Sequence, residues 1–149
     1  MNTKHYKTYT YSKKYTSLTS AQVWKSWVDV ANWDKWLDDI DHAKLEGPMQ
    51  VNKFIDFRPK GGPNLKLEIT ECIENQTWTD VTRFPLAKMY DRHDVIATDD
   101  GVEIKSTLIL SGPLAFLWNM LVVKGIAASL EKQTDALVNY VRQQHKGNP

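Results

Sequence analysis

Residues 88–113 read KMYDRHDVIATDDGVEIKSTLILSGP, and the fold is decided by how that string divides. Two runs of alternating character, 88–97 and 102–111, flank Asp99-Asp100-Gly101. Short polar residues followed by glycine suit the tight turn of an antiparallel hairpin. With Asp99 and Asp100 as the two turn residues, Ala97 stands opposite Val102, Val95 opposite Ile104, His93 opposite Ser106 and Asp91 opposite Leu108. The apolar members of those pairs mark the inner face of a sheet. Gly112-Pro113 then ends the strand and opens a helix, with proline at the first helical position, where its missing N–H costs nothing.

The alternating period extends upstream. From about Asp39 to Ser111, turn signals recur at strand-length intervals: Gly47-Pro48, Lys60-Gly61-Gly62-Pro63, Asn75-Gln76 and Phe84-Pro85. The spacing predicts strands over roughly 39–46, 50–58, 65–74, 77–84, 88–97 and 102–111. Residues 5–16, rich in Tyr, Thr and Lys without a helical stripe, add a seventh. Taking Asn75-Gln76 as a two-residue turn sets Ile73 against Trp78 and Glu71 against Asp80, with Leu67, Ile69 and Thr82 on that same face.

Between the first two strands lies a helix start. Thr19 and Gln22 have the spacing of a capping box, and Leu18 with Val23 that of a hydrophobic staple. Val23, Trp27 and Val30 fall on one face, Asn32 breaks the helix, and Trp33 to Leu37 makes a second short turn. After Pro113 a helix is expected to about Gln144. Its stripe is Ala127, Leu130, Thr134, Leu137 and Val141, with a bend expected at Gly125. The tail from His145 is expected to be mobile.

Strand, two short helices, six strands and one long helix is the order of the helix-grip fold, an α+β arrangement in which a curved sheet wraps a long C-terminal helix. Local strings carry the same likeness: Val23-Trp24 with Trp33 and Trp36, Pro59-Lys60-Gly61-Gly62-Pro63, Ile69-Thr70-Glu71, Thr79-Asp80-Val81-Thr82 and Ser111-Gly112-Pro113-Leu114. From about Tyr6 to Arg142 the chain resembles the START-like (SRPBCC) superfamily, in the bacterial group called polyketide cyclase/dehydrase. That resemblance implies one START-like domain over 1–149, with an internal cavity of a few hundred Å³ for a hydrophobic or amphipathic molecule such as a lipid, sterol or polyketide. It brings no shared catalytic set, so no catalytic residue is assigned.

Combined with the hairpin register, the cavity gives candidate ligand contacts. Asp80, Thr82, Asp91, His93 and Ser106 would face it, Trp78, Phe84, Val95, Ile104 and Leu108 would wall it, and Trp33 and Trp36 are gate candidates; Trp24 and Trp27 read as core. Asp91 and His93 are the candidates for proton transfer, a histidine beside a carboxylate being able to act as a general base. Three functions are compatible with this pattern. The first is a ligand carrier, the second an aromatase/cyclase-type enzyme working in the same cavity, and the third a protein-interaction module using the outer sheet face.

Composition excludes several other classes. Of 149 residues, 42% are hydrophobic and 25% charged, the profile of a globular domain, and the formal charge is +1 with no basic or acidic run. A nucleic-acid partner is therefore not expected. Cys72 is the only cysteine, so a reducing, cytoplasmic location is expected, and no disulfide can form within the chain. Residues 114–130 contain Asn119, Lys124 and Gly125 and read as a buried helix, not a membrane span. The histidines at 5, 42, 93 and 145 are scattered, and only Asp91-x-His93 pairs two ligand types, too few for zinc. No nucleotide fingerprint or phosphate loop is present, so neither metal nor cofactor is expected. Oligomeric state is left open.

Overall fold

The computed structural model describes residues 5–146. Strand β1 (His5–Thr16) leads to helix α1 (Ser20–Val28) and a 3₁₀ turn (Val30–Lys35). Six strands follow: β2 (Ile40–Lys44), β3 (Phe54–Pro59), β4 (Leu65–Ile73), β5 (Thr77–Phe84), β6 (Ala87–Ala97) and β7 (Gly101–Ser111). They form one antiparallel sheet in the order β1-β7-β6-β5-β4-β3-β2, so consecutive strands from β2 to β7 are neighbours and β1 closes beside β7. The chain ends in α2 (Ala115–Trp118), a π segment (Asn119–Val123) and α3 (Lys124–Lys146), which run on as one helical rod.

The start of α1 is chemically explicit. The Gln22 backbone N–H donates to Thr19 Oγ1 at 3.1 Å, and the Thr19 backbone N–H donates to Gln22 Oε1 at 3.0 Å, which completes the capping box. Val23, Trp24 and Trp27 bury the inner face of this helix. The β6–β7 pairing is the expected one, with Ala97 on Val102, Val95 on Ile104, His93 on Ser106 and Asp91 on Leu108.

The β4–β5 pairing differs from expectation. Asn75 adopts φ 62°, so the turn takes three residues, Glu74 to Gln76, and Ile73 pairs with Thr77, Cys72 with Trp78 and Glu71 with Thr79. A left-handed residue is tolerated by asparagine more readily than by most side chains. A bulge between Ile69 and Glu71 absorbs the extra residue and sets Ile69 opposite Asp80. Leu67, Ile69, Trp78, Asp80 and Thr82 consequently still share the inner face, whereas Ile73 is turned out and 46% exposed.

Two further boundaries move. The expected strands over 39–46 and 50–58 contract to 40–44 and 54–59, because Gly47 and Asn52 take positive φ and bury Met49 in the loop between them. The rod is irregular over Asn119–Val123, which ends two residues before the bend expected at Gly125. The Tyr9 hydroxyl donates to Asn119 Oδ1 at 2.7 Å and ties the start of that irregular turn to β1. His145 and Lys146 belong to α3, so the expected mobile tail does not begin there; 147–149 lie outside the described residues.

Gly112 sets the direction of the rod. At φ 118° it approaches the β5–β6 turn so closely that a Cβ would lie 2.7 Å from both Ala87 Cα and the Leu86 oxygen. The Leu114 N–H donates to that same Leu86 oxygen at 3.0 Å. The rod is thus fastened to one end of the sheet and crosses its concave face. Side chains fill both ends of that face: Val95, Trp24, Val102, Val138 and Val141 at one, Leu108, Leu110, Val123 and Leu130 at the other.

Candidate functional site

Between those two packed ends the sheet and the rod do not meet, and a cavity of about 480 Å³ remains. This volume lies within the range of small-ligand sites. Its floor is β5, β6 and β7, its roof is the π segment and α3, and one side wall is tryptophan. Leu121 lines the cavity while being 65% exposed, which puts an opening at the π segment.

The aromatic wall is built in sequence. Trp33 is buried, and its indole N–H donates to the Trp27 carbonyl at 3.0 Å, so the 3₁₀ turn is held against α1. Trp33 in turn meets Trp78 at 5.7 Å and Trp36 at 6.3 Å between ring centroids. Trp33 is therefore a fixed wall rather than a gate. Trp78 stacks flat on His93, with centroids 3.8 Å apart and planes 3° off parallel, and Trp27 meets the same imidazole edge-on at 5.9 Å.

The stack fixes the histidine. Nδ1 lies 3.3 Å from the Trp78 carbonyl oxygen, which only accepts, so Nδ1 carries a proton. Nε2 then faces Asp91 Oδ1 at 3.4 Å. Oδ1 is buried without a hydrogen bond, and the two groups form an ion pair only when the imidazole carries a second proton. Asp80, on β5 directly opposite Asp91, completes the group. One donor atom each from Asp80, Asp91 and His93 lies within 4.8 Å of the others.

This placement perturbs the carboxyls. Burial pushes Asp80 well above the usual carboxylate range, and the neighbouring Asp91 charge pushes it further. Burial raises Asp91 as well, against the opposing influence of His93. Two carboxyls this close cannot both ionise cheaply, and they titrate as a pair. Chemically, the group can hold or exchange a proton, accept hydrogen bonds from a ligand, or balance a positive charge. Asp80 adds a third donor to the pair legible on β6, so the three could ligate a metal ion through three atoms.

Of the sequence-derived contacts, Trp33, Trp36, Trp78, Asp80, Thr82, Asp91, His93, Ile104 and Ser106 line the cavity. Phe84, Val95 and Leu108 do not. Phe84 stacks on Trp118 at 4.7 Å, Val95 packs in the core beside α1, and Leu108 packs in the core beneath the start of α3. The inner face is longer than the cavity, so its ends are core. Sequence reasoning placed Trp27 in the core only, although it also lines the cavity, and it overlooked Met89 and the polar helix residues Ser129 and Gln133. The last two were detectable as a pair four residues apart beside the apolar stripe; the Gln133 amide donates to Ser129 Oγ at 2.9 Å.

No family model and no curated protein matches the sequence. Solved structures do match it. Norcoclaurine synthase of Thalictrum flavum, in complex with a transition-state analogue, superposes with a TM-score of 0.74 at 12% identity over 97% of this chain and 98% of that one. The protein Ara h 8.0201 gives 0.70 at 18% identity over 92% and 99%. The two-domain ARO/CYC StfQ of the steffimycin biosynthetic pathway gives 0.72 at 8% identity over 93% of this chain and 52% of that one. Among the described residues no helix is long and apolar enough to cross a membrane. At these identities the likeness is one of fold alone: these structures share with this chain the antiparallel sheet and long C-terminal helix of the helix-grip arrangement expected from the sequence.

Proposed function

We propose that this chain, as a single domain, binds and carries a small hydrophobic or amphipathic molecule in the cavity between sheet and rod. The observation that carries this reading is a walled space of about 480 Å³, apolar over most of its surface, with one polar group set at its floor. A ligand would lay its apolar body against Trp33, Trp36 and Trp78 and turn its polar end to Asp80, Asp91 and His93. Apolar contact would supply most of the affinity, at about 25 cal/mol per Å² removed from water, and the polar floor would set orientation. Native mass spectrometry of protein purified from its own source tests the idea. A one-to-one organic adduct, released on unfolding, is expected. Apo protein that also fails to bind a neutral hydrophobic fluorophore would refute it.

A second reading, an aromatase/cyclase-type enzyme, is favoured by one observation: Asp91 and His93 face each other with room for a proton between them and lie open to the cavity. In that reading the pair would move a proton on a bound polyketide-like chain. Turnover of such a substrate that disappears in His93→Gln but not in Ser106→Ala would support it; equal rates in the three proteins would remove it.

A further inference from the structure

The charged residues around the cavity are all of one kind. Asp39, just before β2, Asp80 on β5 and Asp91 on β6 line it, and among the described residues His93 is the sole other titratable side chain there and no lysine or arginine takes part. The other polar lining residues are Thr82 from β5, Ser106 from β7 and Ser129, Gln133 and Thr134 from α3, and α1, β3 and β4 contribute only apolar side chains. Lining this acidic floor are the faces or edges of Trp27, Trp33, Trp36 and Trp78. Aromatic rings present negative faces that attract cations, most strongly where water is excluded.

Asp80 is the decisive residue. It is 3% exposed and lines the cavity, and among the described residues no side-chain hydrogen bond or salt bridge reaches its carboxyl. Buried carboxyls of folded proteins are paired or hydrogen-bonded as a rule. Asp91 faces His93 at 3.4 Å, and its Oδ1 is buried without a hydrogen bond. Among the described residues the cavity offers Asp80 no lysine or arginine, and the one imidazole there is set against Asp91.

From this we infer that the preferred occupant is a cationic amphiphile, a protonated alkyl- or arylalkylamine whose ammonium group sits on Asp80 between the tryptophans and whose apolar body fills the space below the rod. The inference rests on the carrier reading and names its ligand class. An ammonium group has three donors and a unit charge, which together satisfy an acceptor-only carboxylate. Asp80 gives up its proton when the ammonium arrives, and that proton leaves to solvent, so charge balances and binding weakens as pH falls. Asp91 and His93 are the titratable groups beside it, and Asp39 lines the same cavity.

The test compares three probes with one body and different heads: 4-phenylbutylamine, 4-phenylbutanol and 4-phenylbutyrate, titrated calorimetrically at pH 7 with EDTA present to exclude metal. The amine should bind at least tenfold more tightly than the alcohol and the carboxylate most weakly, with proton release read from the dependence of heat on buffer ionisation. Asp80→Asn should erase the preference for the amine over the alcohol. Alcohol binding as tight as amine binding, or a carboxylate preference, would overturn the cation inference and leave the carrier reading standing. Failure of all three to bind, together with failure of a neutral fluorophore, would overturn both. The wild-type comparison needs no variant, so a folding defect in Asp80→Asn does not blunt it.

Discussion

Replacing Asp80 by asparagine should make the ligand-free protein more stable at neutral pH, and the gain should vanish in acid. Burial and the Asp91 charge raise the native pKa of this carboxyl above its unfolded value. In the pH interval between those two values the native chain holds a proton that the unfolded chain has lost. The native state then binds more protons, so stability falls as pH rises through the interval. Below the unfolded value, near pH 4, both states are protonated and the penalty is absent. Asparagine keeps the shape, removes the charge, and offers an amide N–H to Asp91. An uncompensated buried polar group costs about 1–3 kcal/mol, which fixes the scale of the gain expected at pH 8. At roughly 2–4 °C per kcal/mol for a chain of this size, the variant should melt about 2–12 °C higher. Urea unfolding of both proteins from pH 4 to pH 8 measures the difference directly. A variant that is less stable at pH 8, or a difference independent of pH, would show that the carboxylate is ionised and satisfied in the native state, contrary to the reasoning.

Other changes separate cavity from core. His93→Ala should weaken binding of a probe with a polar head by about 1–3 kcal/mol while the protein remains folded by circular dichroism, since the imidazole fixes the floor of the cavity without holding the sheet together. Leu108→Ala, at 0% exposure and outside the cavity, should cost about 2–5 kcal/mol in chemical denaturation and leave probe affinity unchanged. Removing the N-cap with Thr19→Ala should cost about 1 kcal/mol by the same assay. Tyr15→Phe removes a 2.6 Å hydrogen bond to Asp135, which, with Lys13, holds that carboxyl below the usual range; stability should drop by about 1 kcal/mol at pH 7, and the loss should shrink as acid protonates Asp135.

How much of this was legible in the sequence depended on what each local signal determines. The β6–β7 hairpin was readable residue by residue because Asp99-Asp100 makes a two-residue turn, and such a turn admits one register. Asn75 misled because asparagine enters either a two- or a three-residue turn. The extra residue moved Ile73 and Glu71, and the compensating bulge at Thr70 leaves no mark in the alternation of side chains. Asp80 nevertheless kept its inward position, since its facing follows from β5 pairing with β6. The π segment was invisible because its apolar residues continue the pattern of an ordinary helix. Trp27 shows the deeper limit: an apolar stripe states that a face is covered, and a core wall and a cavity wall satisfy that equally. Phe84, Val95 and Leu108 are the converse, inward residues at the filled ends of the sheet.

The claim that a ligand occupies the space between sheet and rod is tested most directly at Gly125. This residue lines the cavity on α3, and a Cβ added to it would meet no heavy atom within 4 Å. Gly125→Phe should therefore place a ring in the open space without displacing backbone, and should add helix propensity of about 0.5 kcal/mol. Titration of wild type and variant with the neutral fluorophore N-phenyl-1-naphthylamine, alongside thermal unfolding, is the measurement. The expected result is one-to-one binding by the wild type and at least tenfold weaker binding by a variant that melts no lower. Equal binding by the two folded proteins would contradict the account, because the probe would then be bound somewhere other than this cavity.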